Sequence, residues 1–433
     1  MPPPFRRSFP FHLPIAVWLV LAAVLAIGTV LRVAHHFDVE SRSPDEQTYT
    51  DYAANVANYG LGAFPVIFSD YEAAGDIWTY PAPTRVGEIL LTAAVMRMER
   101  VRDERAGESG GGVRLDGAGA DLSLAASIFA LFLTAWIGVR FFDPWVAVAA
   151  TAFLACSVPE LGIARRAWTD SLVGGTSLLL VAITCVISKP ENRRRTRLYL
   201  LFLAMGCGAL LVKESLALYY GICGLWLTAM LWFQEKSAKG MALLAAGGIA
   251  SVALALLIVR VLCGNAETFA ALLPHPGNWL LPHPNSWTAE NYTGPWYEFF
   301  GLLVRVGPLT AAMALAGFIA IAAGRAQRTS AALLVATISA ICVAFLAFAP
   351  ALQCLRLISP ADGCYALLAA VGLTTIVAEA RARISSAGYR AIVALAVLAM
   401  AVEGVCNYRT YTAAVVGSGM EDLAISGFRF WLR

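Results

Sequence analysis

Eleven stretches of mainly apolar residues run through the chain, at approximately 14–33, 122–139, 145–162, 170–188, 198–212, 215–233, 241–262, 299–323, 330–349, 361–378 and 390–407. A helix needs about 20 such residues to cross roughly 30 Å of hydrocarbon. The 433 residues are 59% hydrophobic and 14% charged, whereas water-soluble domains hold about 45–50% apolar and about 25% charged residues. The expected architecture is therefore an all-α, polytopic transmembrane helical bundle with about eleven crossings.

A net charge of +3, with Lys and Arg scattered between apolar runs, makes no basic field for nucleic acid. The nine cysteines form no CxxC pair. Cys156, Cys185, Cys207, Cys223, Cys342 and Cys406 sit inside apolar stretches, where a thiol behaves as a small hydrophobe.

Topology turns on residues 84–98, a short apolar stretch carrying Arg85, Glu88 and Arg97. If it stays out of the bilayer, the cytoplasmic connections collect Arg140, Lys189 with Arg193, Arg194, Arg195 and Arg197, Lys236 with Lys239, Arg325 with Arg328, and Arg381, Arg383 and Arg390. That agrees with the excess of basic residues on the cytoplasmic side; a crossing would turn the 189–197 cluster outward. The segment is accordingly expected as an amphipathic element at the outer surface, with the N-terminus inside and the first helix retained. The outer face then receives 34–121, 263–298, 350–360 and a short tail over 409–433, leaving 1–408 as the membrane domain. Residues 99–121 read as a Gly-rich linker.

Long loops gathered on one face mark where chemistry is done. Ionisable groups near hydrocarbon are expensive and mark polar cavities or partners. Four clusters stand at the expected outer helix ends. Asp45 and Glu46 follow Ser43-Pro44 at a helix start, where ordinary first-turn acids are also common. Arg165 and Arg166 precede Asp170, against the topological bias for basic residues. Lys213 adjoins Glu214, with mutual compensation as the plain alternative. Arg356 lies in an apolar Leu355–Pro360 segment, and a guanidinium grips phosphate with two parallel hydrogen bonds; snorkelling to headgroups is its competitor.

The loop 263–298 holds many Pro, Trp, Asn and His residues and repeats LLPHP at 272–276 and 280–284. Its aromatic residues, with Trp296 and Tyr297 at the next helix start, suit an interfacial belt or stacking on sugar rings. His275 and His283 are not at a recognised metal-ligand spacing. A divalent metal is neither required nor excluded by the sequence.

Taken in chain order, these segments resemble the GT-C superfamily of integral-membrane glycosyltransferases, which includes protein O-mannosyltransferases and aminoarabinose transferases. Ser43 to Tyr49 resembles the Asp-Glu motif of the first outer loop, and Tyr80-Pro81-Ala82-Pro83 a Lys-Pro-Pro element. Arg165 to Asp170 is similar to an Arg followed by Asp at the head of a crossing. Gly208 to Glu214 resembles a Gly-x-x-x-x-Lys helix end, Gly294 to Tyr297 an aromatic helix entry, and Leu355 to Pro360 an Arg-Tyr-x-x-Pro element. The likeness spans about 10–380, with Tyr80 in place of the Lys, Thr79 in place of a preceding carboxylate, and Leu357 in place of the Tyr.

The resemblance implies sugar transfer from a polyprenyl-phosphate donor to an acceptor hydroxyl on a lipid, glycan or protein. The reaction would take place at the periplasmic or extracellular face of the inner (plasma) membrane, with inversion. Asp45 is the expected base, Glu46 and Asp170 the supporting acids. Arg356, helped by Arg165, Arg166 and Lys213, is expected on the carrier phosphate, with Tyr80, Trp296 and Tyr297 lining the substrate. The rival class is a transporter or lipid flippase, in which repeats and midplane charges are usual; here charges collect at helix ends. A non-catalytic glycan-binding assembly protein is a third reading.

Overall fold

The computed structural model describes residues 15–36, 38, 43–74, 82–106, 117–189, 195–272, 291–326, 329–349 and 352–417. Tyr80, His275, His283, residues 107–116 of the expected linker and the segment after 417 fall outside them.

The regular elements among the described residues are helices: α1 Ile15–Val33, α2 Pro44–Tyr59, α3 Phe64–Ala73, α4 Val86–Ala106, α5 Ala118–Phe141, α6 Pro144–Ala155, α7 Val158–Ile163, α8 Asp170–Ile187, α9 Arg195–Val212, α10 Leu216–Met230, α11 Ala238–Cys263, α12 Ala266–Leu272, α13 Trp296–Val306, α14 Pro308–Ala322, α15 Ser330–Phe348, α16 Ser359–Arg383 and α17 Ser386–Thr410. Eight helical segments are long and apolar enough to cross a membrane, or nine if the bent pair α13 and α14 is one span. The chain is a multi-pass membrane protein.

The eleven expected crossings are thus corrected to eight or nine spans, and backbone chemistry explains the difference. The run at 145–162 breaks after Ala155 because Ser157 caps a new helix with Pro159 in its first turn. Proline is welcome there and disruptive inside a helix. The run at 299–323 breaks at Gly307-Pro308, and the two halves meet at 114°. The run at 198–212 forms a shorter helix, α9. α4 extends well past the expected 84–98, through Ala106.

The main core lies among α5, α6, α8, α9, α15 and α16, with Leu131, Ile137, Leu154, Leu180, Leu334 and Leu367 fully enclosed. α2, α3 and α4 share a second core built on Val56, Phe64, Phe68, Ile89 and Met96, joined by Val259 and Cys263 of α11. The expected juxtamembrane helices of the first loop are therefore a packed subdomain. α1, α11 and α17 leave broad apolar faces open, as at Leu19, Leu243 and Leu395, which suits helices bathed in lipid.

The break between α6 and α7 is filled by a charge. Arg32, 1% exposed, donates from Nη2 to the Leu154 carbonyl at 3.1 Å and from Nε to Ser127 Oγ at 2.7 Å. Carbonyls at a helix C-terminus lack intrahelical donors, so Arg32 supplies them. Ser127 in turn donates to Glu160 at 3.0 Å. This network holds α7, and so the Arg165-Arg166 turn that follows it, against α1 and α5.

Candidate active site

Ser43 caps α2, and a full capping box forms: the Glu46 backbone N–H reaches Ser43 Oγ while Glu46 Oε2 accepts the Ser43 backbone N–H at 2.8 Å. Glu46 does more than cap. It is 1% exposed, pairs with Arg166 and accepts the Ala167 backbone N–H at 2.8 Å. Its neighbour Asp45 is half-buried and makes no hydrogen bond or ion pair with a described residue. The two adjacent acids therefore occupy different positions: one is built into the fold, the other is available.

Trp168 connects this helix start to the expected phosphate cluster. Its Nε1–H donates to Ser43 Oγ at 3.1 Å. The Arg356 guanidinium carbon lies 4.4 Å from its ring centroid and that of Arg166 5.1 Å, both within cation–π range. Behind the ring, Asp170 is held by two cations: Lys213 Nζ is 2.7 Å from Oδ1 and Arg356 Nε is 3.5 Å from Oδ2. Asp170 opens α8, Lys213 directly follows α9, and Arg356 lies in the 3₁₀ turn Leu355–Ile358 just before α16. Ser359 Oγ donates to the Asp170 carbonyl at 2.7 Å and ties that turn to α8.

Lys213 and Glu214, adjacent in sequence, form no direct ion pair with one another; Lys213 pairs with Asp170. Glu214 instead receives a bidentate grip from Arg85, with Nη2 to Oε1 at 2.6 Å and Nε to Oε2 at 3.1 Å. Burial disfavours its charge, yet the Arg85 charge and hydrogen bond prevail and hold the Glu214 carboxyl down at about 2. Arg85 also donates to the Tyr49 hydroxyl. One turn along α4, Glu88 is 4% exposed with Oε2 unpartnered. Burial lifts its carboxyl to about 8 against the pull of Arg85 and Lys213.

Arg165 is 2% exposed. One of its guanidinium nitrogens donates to the Asp38 carbonyl, while Nε and Nη1 are buried with no hydrogen-bond partner among the described residues. Such donors are costly to leave unsatisfied, so this guanidinium is set for an additional acceptor.

Glu46, Arg165, Arg166, Asp170, Lys213 and Arg356 thus come together at one end of the bundle, beside Asp45. Trp296 and Tyr297 are 52% and 60% exposed, with Trp296 stacked on Phe348 at 5.9 Å; neither ring has a described contact with the Asp170 cluster. No group of three His, Cys, Asp or Glu suited to a metal occurs among the described residues.

Arg85, Glu88 and Trp168 are the members that the expected site lacked. The signal for the first two lay in charges too close together for a crossing; Trp168 stood between the motif's Arg and Asp.

Among solved structures, the chain is similar to ArnT from Cupriavidus metallidurans bound to undecaprenyl phosphate. The TM-score is 0.56 at 17% identity, over 93% of this chain and 77% of that one. The apo state of the same protein gives 0.55 at 16%, over 94% and 75%. No family model and no curated protein matches the sequence. The likeness is one of fold.

Proposed function

We propose that this chain is a membrane glycosyltransferase that moves a sugar from a polyprenyl-phosphate donor to an acceptor hydroxyl at the outer face of the membrane. The observation that carries the reading is the continuous link Ser43–Trp168–Arg356–Asp170–Lys213, with Asp45, which has no partner among the described residues, two residues beyond one end and paired cations at the other. Around it stand the cations Arg85, Arg165, Arg166, Lys213 and Arg356 and the carboxylates Asp45, Glu46, Asp170 and Glu214, with Glu88 protonated. One positive charge is left in excess. That balance suits a phosphate, and the open Arg165 nitrogens support the same ligand.

In the reaction, Asp45 removes the acceptor proton as the hydroxyl oxygen bonds to the anomeric carbon. The carbon–oxygen bond to phosphate breaks, and its electron pair departs on the carrier phosphate toward Arg356, Arg165 and Lys213. Cations aimed at charge that grows in the transition state lower the barrier, and a placed base contributes about 10²–10⁴-fold. Asp170 keeps Lys213 and Arg356 fixed before the donor arrives. Attack opposite the leaving phosphate inverts the anomeric centre.

The test uses the purified protein in nanodiscs with radiolabelled polyprenyl-phosphate sugars. Carrier phosphate release coupled to glycan product, lost in Asp45→Asn and with weakened donor affinity in Arg356→Ala, is expected. Wild-type turnover by a folded Asp45→Asn protein removes Asp45 as base; vesicle counterflow without sugar transfer replaces the enzyme with a transporter.

A further inference from the structure

Away from the candidate site, a cleft of about 2000 Å³ opens between α1, α6, α16 and α17. Its walls are apolar, with Val24, Val148, Ala152, Val393, Ala396 and Val397 among them. One mouth is cationic: Arg140, Lys189, Arg325 and Arg381 line it. Two acids line this end as well, Glu379, which pairs with Arg383 at 2.8 Å, and Asp143, which accepts the Trp145 N–H at 2.9 Å, so the four cations outnumber the carboxylates.

Helix geometry places this mouth at the opposite end of the bundle from the candidate site. Arg140 is in the last turn of α5, whose beginning carries Ser123, donor to the Trp168 carbonyl at 2.9 Å. Seventeen residues separate the two positions, about 25 Å at about 1.5 Å per residue. Arg381 likewise ends α16, the helix that follows the Arg356 turn. The basic mouth therefore lies at headgroup depth in the leaflet facing away from the site.

We infer that this cleft is a binding site for an anionic phospholipid of that leaflet, with its phosphate among Arg140, Lys189, Arg325 and Arg381 and its acyl chains along α6 and α17. Charge complementarity identifies the occupant. A basic pocket between membrane helices selects anionic headgroups, and a second protein copy would have no use for four clustered cations above an apolar slot. The polyprenyl carrier is disfavoured by position, because its phosphate belongs at the other end.

The test is native mass spectrometry of the full chain after exchange into detergent with defined lipid. Wild type should retain phosphatidylglycerol in preference to phosphatidylcholine, with phosphatidylglycerol raising its Tm. Retention should weaken about fivefold for each charge removed, reaching about a hundredfold in the triple variant Arg140→Gln, Arg325→Gln, Arg381→Gln. Ala396→Trp, which fills the slot from the loosely packed α17, should displace the lipid with all charges intact. Equal retention of both lipids, unchanged phosphatidylglycerol retention in Ala396→Trp, or a polyprenyl phosphate or second copy found in its place overturns the inference. The wild-type lipid preference and Ala396→Trp decide it even if the triple variant does not fold. None of these readouts depends on glycosyl transfer.

Discussion

The Glu46 carboxylate accepts the backbone N–H of Ala167 at 2.8 Å, bridging 121 residues of sequence. With its Arg166 pair and its capping role, this bond makes Glu46 the joint between the first loop and the turn that carries Arg165, Arg166 and Trp168. Removing one partner of a buried pair costs about 3–5 kcal/mol, because the other charge is stranded. Glu46→Ala should accordingly lower thermal stability by several degrees. Asp45→Asn should leave the melting curve in place and cut turnover by about a hundredfold or more. Thermal unfolding and single-turnover transfer on the same preparations separate the two roles, and equal melting losses in both variants would erase the distinction.

Lys213 and Arg356 share Asp170, so their contributions should be strongly non-additive. Lys213→Met alone leaves Asp170 buried against a single cation, and Asp170→Asn alone leaves two cations side by side. Combining them removes Lys213 together with its carboxylate and ends the side-by-side repulsion, leaving Arg356 as the single cation there. A double-mutant cycle on unfolding should give a coupling of about 1–3 kcal/mol, while donor affinity remains impaired in all three variants. Strict additivity would mean that the pair contributes nothing to the fold.

The charged ends illustrate what the sequence discloses and what it withholds. Asp170, Lys213 and Arg356 were each conspicuous as charge beside apolar runs, since hydropathy is a local property. Their mutual pairing depends on three helix ends meeting, which no local pattern encodes. For the same reason sequence adjacency offers Glu214 as the partner of Lys213, whereas the fold delivers Arg85 to Glu214 from 129 residues away. Helix positions were legible nearly throughout. The breaks at Ser157-Val158-Pro159 and Gly307-Pro308 were hidden because continuous hydropathy masks backbone punctuation. Arg32 was overlooked because its role is to serve carbonyls that only the α6 break exposes.

Glu88 gives the stability a pH dependence of definite sign. Its carboxyl titrates near 8 in the fold against an ordinary 4.5, so between those values the native state holds a proton that the unfolded chain has released. Stability contributed by this group is full below about pH 4.5 and declines as pH rises through 8, with a limiting slope of about 1.4 kcal/mol per pH unit. Glu214, held at about 2, acts oppositely and below pH 4.5, and its half-exposed side chain weakens that effect. Glu88→Gln should flatten the melting temperature between pH 5 and 8; an unchanged profile would remove Glu88 as its source.

α14 and α16 meet through glycine rather than through side chains. A Cβ added at Gly317 would lie 2.1 Å from the Leu368 carbonyl oxygen, and one added at Gly372 would lie 2.0 Å from that of Met313. Both obstacles are backbone, which cannot turn aside as a flexible side chain would. Small residues permit this approach between membrane helices, where dispersion replaces the hydrophobic drive. Gly317→Ala should therefore push the helices apart and destabilise the protein by about 1–3 kcal/mol, the usual penalty for overpacking. Gly208→Ala is the control: a Cβ there meets nothing within 4 Å, so the substitution should leave stability unchanged or raise it through helix propensity. Because α16 follows directly on the turn bearing Arg356, the Gly317 variant should also weaken donor affinity, with the Gly208 variant unaffected. Comparable melting temperatures for the two alanine variants would show that the helices are less tightly joined than these distances require.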